Sequence, residues 1–512
     1  MKDNRDLIVD EPEAEKHTYG QILKSSAVFG GSSVLNILIR IVRTKAMALL
    51  LGPGGFGLMS LYGSIADLSQ NIAGMGINSS GVRQIAEAAG SGKAERIAQT
   101  VAVLRRTSFF LGLLGAVLLA IFSKQISILT FGSDQHTTAV MLLSIAVFFS
   151  SVSAGQSALI QGMRRISDLS MMGVLTSILG TIISISLIYL YGENGVALAL
   201  VGTAAVGIII SWWFSRKILI HSIEMTYSQV RQEAASLLKL GVVFMLTAFL
   251  TTGAAYAVNT MVLRMVSLEG TGYYQTAWIL GGLYIGFILD AMGADFYPRL
   301  TAVARDNAKC NRIVNEQAHV SLLLAGPGVM ATLAFTPIVI TLFYSAKFSG
   351  AVEIMRWFCL GMALRVITWP MGFILVAKGE RALFLGVDLA WSIANVGLSW
   401  IFLMYFGLKG AGIAFFGSYI FYGLILYPIV RKVSGFYFSA ANIRTGLIFI
   451  SSMIVVISGF YFLPYWAATA IGILATLSSS VYSIQVLLNL VSLDWIPRPI
   501  MRWLVRFGIL NS

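Results

Sequence analysis

The chain has 512 residues, of which 57% are hydrophobic and only 12% are charged. An average soluble protein is about 45–50% apolar and about 25% charged, so this chain has too little charge to cover a soluble surface. The composition argues against a soluble enzyme, a disordered protein and a nucleic-acid binder. It predicts an all-α integral membrane protein with many spans.

Fourteen segments are apolar over the roughly 20 residues that a transmembrane helix needs. They lie near 25–50, 55–78, 100–122, 139–161, 169–191, 194–214, 236–263, 271–297, 317–344, 351–377, 382–405, 410–430, 445–463 and 466–490. Residues 1–23 precede them as a polar tail of mixed charge, and residues 492–512 follow as a second tail.

The distribution of Lys and Arg over the predicted loops gives the orientation. Of the 36 cations, 27 fall on the side of the N-terminus, four on the other side and five within spans. The bias predicts a multi-pass protein of the bacterial inner membrane with both termini in the cytoplasm. It also explains the net charge of +13 without nucleic acid as a partner.

An internal repeat emerges at an offset of about 215 in residue number. Gly192 and Gly195 correspond to Gly407 and Gly410, in external turns, and Arg216-Lys217 corresponds to Arg431-Lys432. Gly55 and Gly57 likewise match Gly270 and Gly272, also expected in external turns. Parallel repeats of this kind are typical of transporters, with the substrate path between the halves.

The repeat predicts two six-helix lobes and an appended hairpin. The expected organisation is a tail at 1–23, a first lobe at 24–217, a cytoplasmic linker at 218–235, a second lobe at 236–432, a two-helix hairpin at 443–491 and a tail at 492–512.

Arginines inside the spans are the main candidates for substrate binding, because a charge in the bilayer centre costs about 2.5–3.5 kcal/mol on insertion scales. Arg40 and Arg43 share a helical face with Asn36, and Arg365 lies midway along the tenth span. Their forked donors suit phosphate oxygens. The alternative is structural pairing, for example of Arg40 with Asp67.

Other polar residues are candidates for the lining of the path, for ion coupling or for gating. Asp67, Asp290 and Asp388 are carboxylates within or near spans, and Asn36 and Asn259 are possible lining residues, although such polar groups also serve as helix–helix contacts. The cytoplasmic gate candidates are the cations Lys24, Arg83, Lys239 and Arg299.

No enzymatic or nucleotide site is expected. Two cysteines and four scattered histidines lack metal-ligand spacing, so no metal is predicted, and no nucleophile–base or paired-carboxylate arrangement is visible. Gly90-Ser91-Gly92-Lys93 lacks the first glycine and the final Ser or Thr of a phosphate loop. We therefore expect no cofactor, and H⁺ and Na⁺ are the candidate coupling ions.

The N-terminal part of the chain, up to the third predicted span, resembles bacterial polysaccharide-biosynthesis flippases of the O-antigen translocase (Wzx) type, within the multidrug/oligosaccharidyl-lipid/polysaccharide exporter (MOP) superfamily. The segments that carry the resemblance are Gly30-Gly31-Ser32-Ser33 through Arg40 and Arg43, Leu51-Gly52-Pro53-Gly54-Gly55-Phe56-Gly57, Gly74-Met75-Gly76-Ile77 and Arg83-Gln84-Ile85-Ala86.

The resemblance implies a MATE-like V of two lobes that moves an undecaprenyl-diphosphate-linked oligosaccharide to the periplasmic leaflet by alternating access. The diphosphate would meet Arg40, Arg43 and Arg365, while the lipid stays in the bilayer. A polysaccharide polymerase and chain-length machinery are possible partners. The alternatives are a lipid II flippase, which also has fourteen spans, and a multidrug or cation antiporter of the same fold.

Overall fold

The computed structural model describes the backbone of residues 11–91, 93–218, 220 and 225–490. Side chains are described within these ranges from residue 35 onward, except at 287, 290, 291 and 293–295. Residues 1–10 of the first predicted tail, residues 219 and 221–224 of the predicted linker, and the whole second predicted tail lie outside the described part.

The described chain is helical throughout, without strands. Its α-helices are α1 (Glu11–Gly74), α2 (Ile77–Gly90), α3 (Ala94–Ile121), α4 (Ser123–Phe131), α5 (Thr137–Gly162), α6 (Ile166–Tyr191), α7 (Gly195–Ser215), α8 (Tyr227–Met265), α9 (Leu268–Ala302), α10 (Asn307–Ala334), α11 (Thr336–Phe343), α12 (Val352–Ala377), α13 (Arg381–Phe406), α14 (Leu408–Ser434), α15 (Ala440–Phe462) and α16 (Tyr465–Leu490). This confirms the predicted all-α class.

Ten helical segments of the described residues are long and apolar enough to cross a membrane, and Ile166–Ser215 counts as one of them although it holds both α6 and α7. The predicted number of fourteen spans therefore stays a prediction. Arg83 lies in helix α2, although the sequence predicted a connection between the second and third spans at this position.

The predicted external turn at residues 52–57 is wrong in extent. Only Gly52 has non-helical backbone angles (φ 65°, ψ −172°), and helical structure resumes at Pro53. The reason is that proline lacks the N–H that the first turn of a helix leaves unpaired, so it begins a helix well. Gly270 and Gly272 likewise lie inside α9 rather than in a turn.

The chain divides into two compact units. Unit 1 contains the described residues up to Leu51 together with Leu61–Thr252, and unit 2 contains Gly52–Ser60 and the described residues from Gly253 onward. Both α1 and α8 therefore contribute to the two units.

The helix bounds confirm the repeat. Gly192 and Gly407 define the offset between the repeats. At this offset α5 begins and ends at the same positions as α12, and α6 at the same positions as α13. Helix α3 matches α10 in the same way at an offset smaller by two residues. Gly192 and Gly407 share the same backbone angles, with φ 56° in both and ψ −135° and −143°.

The turns after α5 and α12 match in their individual hydrogen bonds. The amide of Arg165 donates to the carbonyl of Ile160, and at the equivalent positions of the second repeat Glu380 donates to Leu375. The residue with positive φ is Arg164 in the first turn and Gly379 in the second. The two halves thus repeat in backbone geometry while their side chains have diverged.

Two of the motifs that carry the resemblance, those around Gly57 and Gly76, contain points of close backbone approach. A Cβ on Gly76 would lie 2.0 Å from the carbonyl oxygen of Gly241 in unit 1, and a Cβ on Gly57 would lie 2.8 Å from the amide nitrogen of Gly272 in unit 2. Only glycine permits such approaches, so these motifs specify helix crossings.

The C-terminal hairpin α15–α16 packs on α10 within unit 2. Small residues make the contact possible: a Cβ on Gly326 would lie 2.7 Å from the ring of Phe449, and one on Gly472 would lie 2.7 Å from the Cβ of Ala334. At one end of the hairpin, the guanidinium of Arg356 stacks 3.5 Å from the ring centroid of Phe460. The stacking gives Arg356 a contact within unit 2.

Candidate functional site

Arg43 is held by hydroxyl groups of two neighbouring helices in unit 1. Its Nη2 donates to Ser184 Oγ of α6 at 3.1 Å and to Thr203 Oγ1 of α7 at 3.5 Å. The two hydroxyl groups are themselves hydrogen-bonded at 2.9 Å. Because Ser184 is fully buried, the guanidinium is fixed against the unit by neutral partners that leave its charge intact.

Arg40 lies one turn before Arg43 on the same face of α1, and its side chain is exposed whereas that of Arg43 is half-buried. Among the residues with described side chains, Arg40 and Asp67 form no ion pair. The pairing of Arg40 with Asp67 is thus absent among these side chains, and Arg43 is held by two hydroxyl groups rather than by a carboxylate.

Asn36 stands one further turn back on this face. Its Nδ2 lies 3.6 Å from the position that a Cβ on Gly173 of α6 would occupy. Its Oδ1 is buried without a hydrogen-bond partner among the described residues. The face of α1 that carries Asn36, Arg40 and Arg43 is therefore polar along three turns.

Asp67 is exposed in the second part of α1. One turn later, Asn71 Nδ2 donates to Thr252 Oγ1 of α8 at 3.2 Å. The carboxylate thus lies beside a helix contact of unit 1 and remains accessible.

A second group of polar residues lies on adjacent helices of unit 2 and includes two of the predicted residues. Tyr419 and Tyr422 of α14 have ring centroids 6.2 Å apart, and Arg365 and Asp388 lie on α12 and α13, the two helices that pack against α14. Arg365 and Asp388 are each half-buried. Each unit therefore has its own polar cluster, with a pure excess of positive charge in unit 1 and both signs in unit 2.

The remaining candidates are dispersed. Asn259 is buried in the part of α8 that belongs to unit 2. Lys239 and Arg299 are exposed, and Arg83 forms an exposed ion pair with Glu87 at 2.8 Å. The side chains of Lys24 and Asp290 lie outside the described residues.

Sequence reasoning missed the partners that hold the arginines. Ser184 and Thr203 are inconspicuous among many hydroxyl residues of the spans. The repeat carried a signal, because the equivalent positions of the second repeat are Ser399 and Ser418, which are also hydroxyl residues and also buried. In unit 2 the available signal was the spacing of Tyr419 and Tyr422, which lie one helical turn apart on α14.

Neither cluster has the composition of a metal centre. Among the residues with described positions, no group of three or more His, Cys, Asp or Glu side chains is placed to hold a metal ion. The donors present are guanidinium, hydroxyl, amide and phenol groups, which bind phosphate and sugar oxygens by hydrogen bonds.

The fold is that of the MOP transporter superfamily. A solved structure of the lipid II flippase MurJ in an inward closed conformation matches with a TM-score of 0.69 and 16% identity, over 90% of this chain and 99% of that one. An inward-facing MATE-family multidrug transporter matches with a TM-score of 0.61 and 17% identity, over 78% and 96%.

A sequence model of the family described as polysaccharide biosynthesis protein matches residues 46–353. The chain belongs to this family. A curated relative, the lipid III flippase of Escherichia coli, is 20% identical over 412 residues, which is 78% of this chain and 96% of the relative. Membership of the polysaccharide-biosynthesis family agrees with the resemblance that the sequence motifs carry.

Proposed function

We propose that the protein translocates an undecaprenyl-diphosphate-linked oligosaccharide, an O-antigen or exopolysaccharide repeat unit, to the periplasmic leaflet by alternating access. The observation that carries the proposal is the pair Arg40 and Arg43. The second guanidinium is fixed by Ser184 and Thr203, and the first is exposed beside it. Two guanidinium groups one helical turn apart, with no carboxylate partner among the described side chains, match a diphosphate in charge and can donate N–H groups to its oxygens.

The family and the similarity to a lipid III flippase support the same class of substrate. Arg365 is the candidate in unit 2, where Asp388, Tyr419 and Tyr422 on the adjacent helices offer an acceptor and hydroxyl groups suited to sugars. H⁺ or Na⁺ coupling at Asp67 or Asp388 belongs to this proposal, and so do a polymerase and chain-length proteins as partners.

The test is polymer export in a strain that depends on this protein. Arg43→Ala and Arg365→Ala should each abolish surface polysaccharide while the protein inserts at normal levels. Arg312→Ala is the matched control, because Arg312 forms only an exposed pair with Glu316 in α10. Normal export by both arginine variants would remove the assignment of these residues.

A lipid II flippase is the second candidate, favoured by the match to MurJ over 90% of the chain against 78% for the MATE transporter. Complementation of a strain depleted of its lipid II flippase separates the two candidates. We expect no rescue, whereas growth would favour lipid II. Unchanged drug sensitivity on deletion would count against the multidrug alternative.

A further inference from the structure

A cavity of about 520 Å³ lies in unit 1, away from the Arg43 cluster. Helices α3, α5 and α7 form its walls. Two arginines, Arg105 and Arg216, stand at the cavity, and both side chains are exposed. Ser108, Gly155 and Ser215 are buried and form its floor.

The floor is shaped by a close approach of α3 and α5. A Cβ on Gly155 would lie 2.3 Å from Ser108 Oγ, so any larger residue there would occupy the floor. The Ser108 hydroxyl is buried and has no hydrogen-bond partner among the described residues. A buried hydroxyl without a partner is costly, and a ligand oxygen in the cavity would satisfy it.

The donors are oriented before any ligand binds. Ser211 donates to Gln156 Oε1 at 2.6 Å, so the amide nitrogen of Gln156, its donor end, points away from Ser211. The guanidinium of Arg216 stacks 4.8 Å from the ring centroid of Trp212, which leaves its N–H edge for an anion. Two guanidinium groups, an amide and a hydroxyl thus converge on one concave site.

An apolar stripe of α3 continues from the cavity. Its residues are exposed and large: Phe109, Phe110, Leu113, Leu114, Val117, Leu118 and Ile121. A ligand that fits both features has an anionic head and long acyl chains. The equivalent place in unit 2 is packed solid, because the counterparts of Gln156 and Ser215 are Met371 and Val430, which join Phe436 in a buried cluster.

We propose that this cavity binds the phosphate headgroup of an anionic phospholipid, with the acyl chains along α3. The site is separate from the substrate arginines and does not depend on the proposed function. It would make unit 1 sensitive to the lipid composition of the membrane.

The test is lipid retention by the purified full-length protein, measured by native mass spectrometry after exchange into mixed phosphatidylcholine and phosphatidylglycerol. The protein should retain phosphatidylglycerol selectively. The double variant Arg105→Gln/Arg216→Gln should lose about tenfold or more of that affinity, since each cation near a membrane surface contributes about a factor of five. The control Arg106→Gln/Lys217→Gln removes the same charge from neighbouring positions that do not line the cavity, and it should retain the lipid.

A second variant, Gln156→Leu, keeps both charges and a similar side-chain volume but removes the amide donor, and it should also lose selective retention, which covers the case in which the double variant does not fold. Equal retention by the double variant and the control, or unchanged retention by Gln156→Leu, would overturn the proposal. So would equal retention of phosphatidylcholine, or displacement by excess inorganic phosphate, which would assign the site to a free anion.

Discussion

Helices α3 and α10 occupy equivalent places in the two repeats, but they have opposite surfaces. Phe109, Leu113 and Ile121 of α3 are exposed by 46%, 43% and 63%. Their counterparts in α10 are Leu322, Gly326 and Ala334, which are buried beneath the hairpin α15–α16. Replacement of large residues by small ones thus marks where the appended hairpin docks. A duplicated lobe can thus acquire a new packing partner when the side chains on one helix face become smaller.

The largest effect is expected from a substitution at the centre of the contact between α10 and the hairpin α15–α16. Gly326→Phe places a side chain against the buried ring of Phe449, whose atoms would lie 2.7–2.9 Å from the new Cβ. We expect a loss of about 3 kcal/mol or more, at the upper end of overpacking effects, together with release of the hairpin. Thermal unfolding in detergent and protease access to the α15–α16 turn measure both. Leu113→Phe at the equivalent exposed position should stay within about 0.5 kcal/mol of the native protein, and a similar loss in both variants would contradict the comparison.

The second prediction concerns Gly195 and Gly410, which are equivalent in the two repeats and are both in close contact with a backbone carbonyl. A Cβ on Gly410 would lie 1.9 Å from the carbonyl oxygen of Phe402, and one on Gly195 would lie 2.5 Å from that of Leu187. Gly410→Ala should destabilise unit 2 by about 2–3 kcal/mol and Gly195→Ala should destabilise unit 1 by about 1–2 kcal/mol, both read from thermal unfolding. Gly397→Ala, with open space around the Cβ, is the control. A larger effect at Gly195 than at Gly410 would be inconsistent with these contacts.

The third test concerns the turn in which Arg164 and Gly379 are equivalent. Arg164 has φ 55° and Gly379 has φ 79°, and a residue with a Cβ loses roughly 1–2 kcal/mol in this region. Gly379→Ala should therefore cost about 1 kcal/mol, whereas Arg164→Gly should stabilise unit 1 by up to about 1 kcal/mol. We expect the unfolding midpoint to fall for Gly379→Ala and to rise for Arg164→Gly. Shifts of the same sign in the two variants would refute this prediction.

The smallest effect is the pH dependence of stability that arises from His136 of unit 1. Tyr62 and His136 are hydrogen-bonded at 2.8 Å, whereas the equivalent positions of the second repeat are the buried alanines Ala277 and Ala351. Burial lowers the pKa of His136, so the folded state binds the proton less well than the unfolded state. The contribution to stability is therefore complete above the unfolded pKa of about 6.5 and is lost as the pH falls below it.

Thermal unfolding between pH 8 and pH 5 measures this dependence. His136→Gln should flatten the part of the profile near pH 6, and Tyr62→Phe should weaken the contact without removing the titration. A profile that is unchanged by His136→Gln would exclude this histidine as its source.

The helices, the repeat and the family could be read from the sequence because each leaves a long-range pattern. Apolar runs predict the spans, and matching glycines such as Gly192 and Gly407 give the offset between the two repeats. The candidate site was less accessible. Arg43 was visible as a charge in a span, but its partners Ser184 and Thr203 lie four and five predicted spans further along the sequence, and only tertiary packing selects them among many hydroxyl groups. Gly52–Gly57 was misjudged for a related reason, since glycine indicates a turn locally but here it serves a helix crossing that depends on α9.

The assignment of Gly52–Ser60 to unit 2 and of Tyr227–Thr252 to unit 1 has a consequence for how the gene can be divided. A cut in the predicted linker at 218–235 would leave the N-terminal fragment with a short segment that packs in the other unit, and would give the C-terminal fragment most of a helix that belongs to the first. Each half expressed alone would expose the surface against which the missing segment packs. Co-expressed halves should therefore accumulate stably only together, so a split protein of this kind would report on assembly through the survival of its fragments.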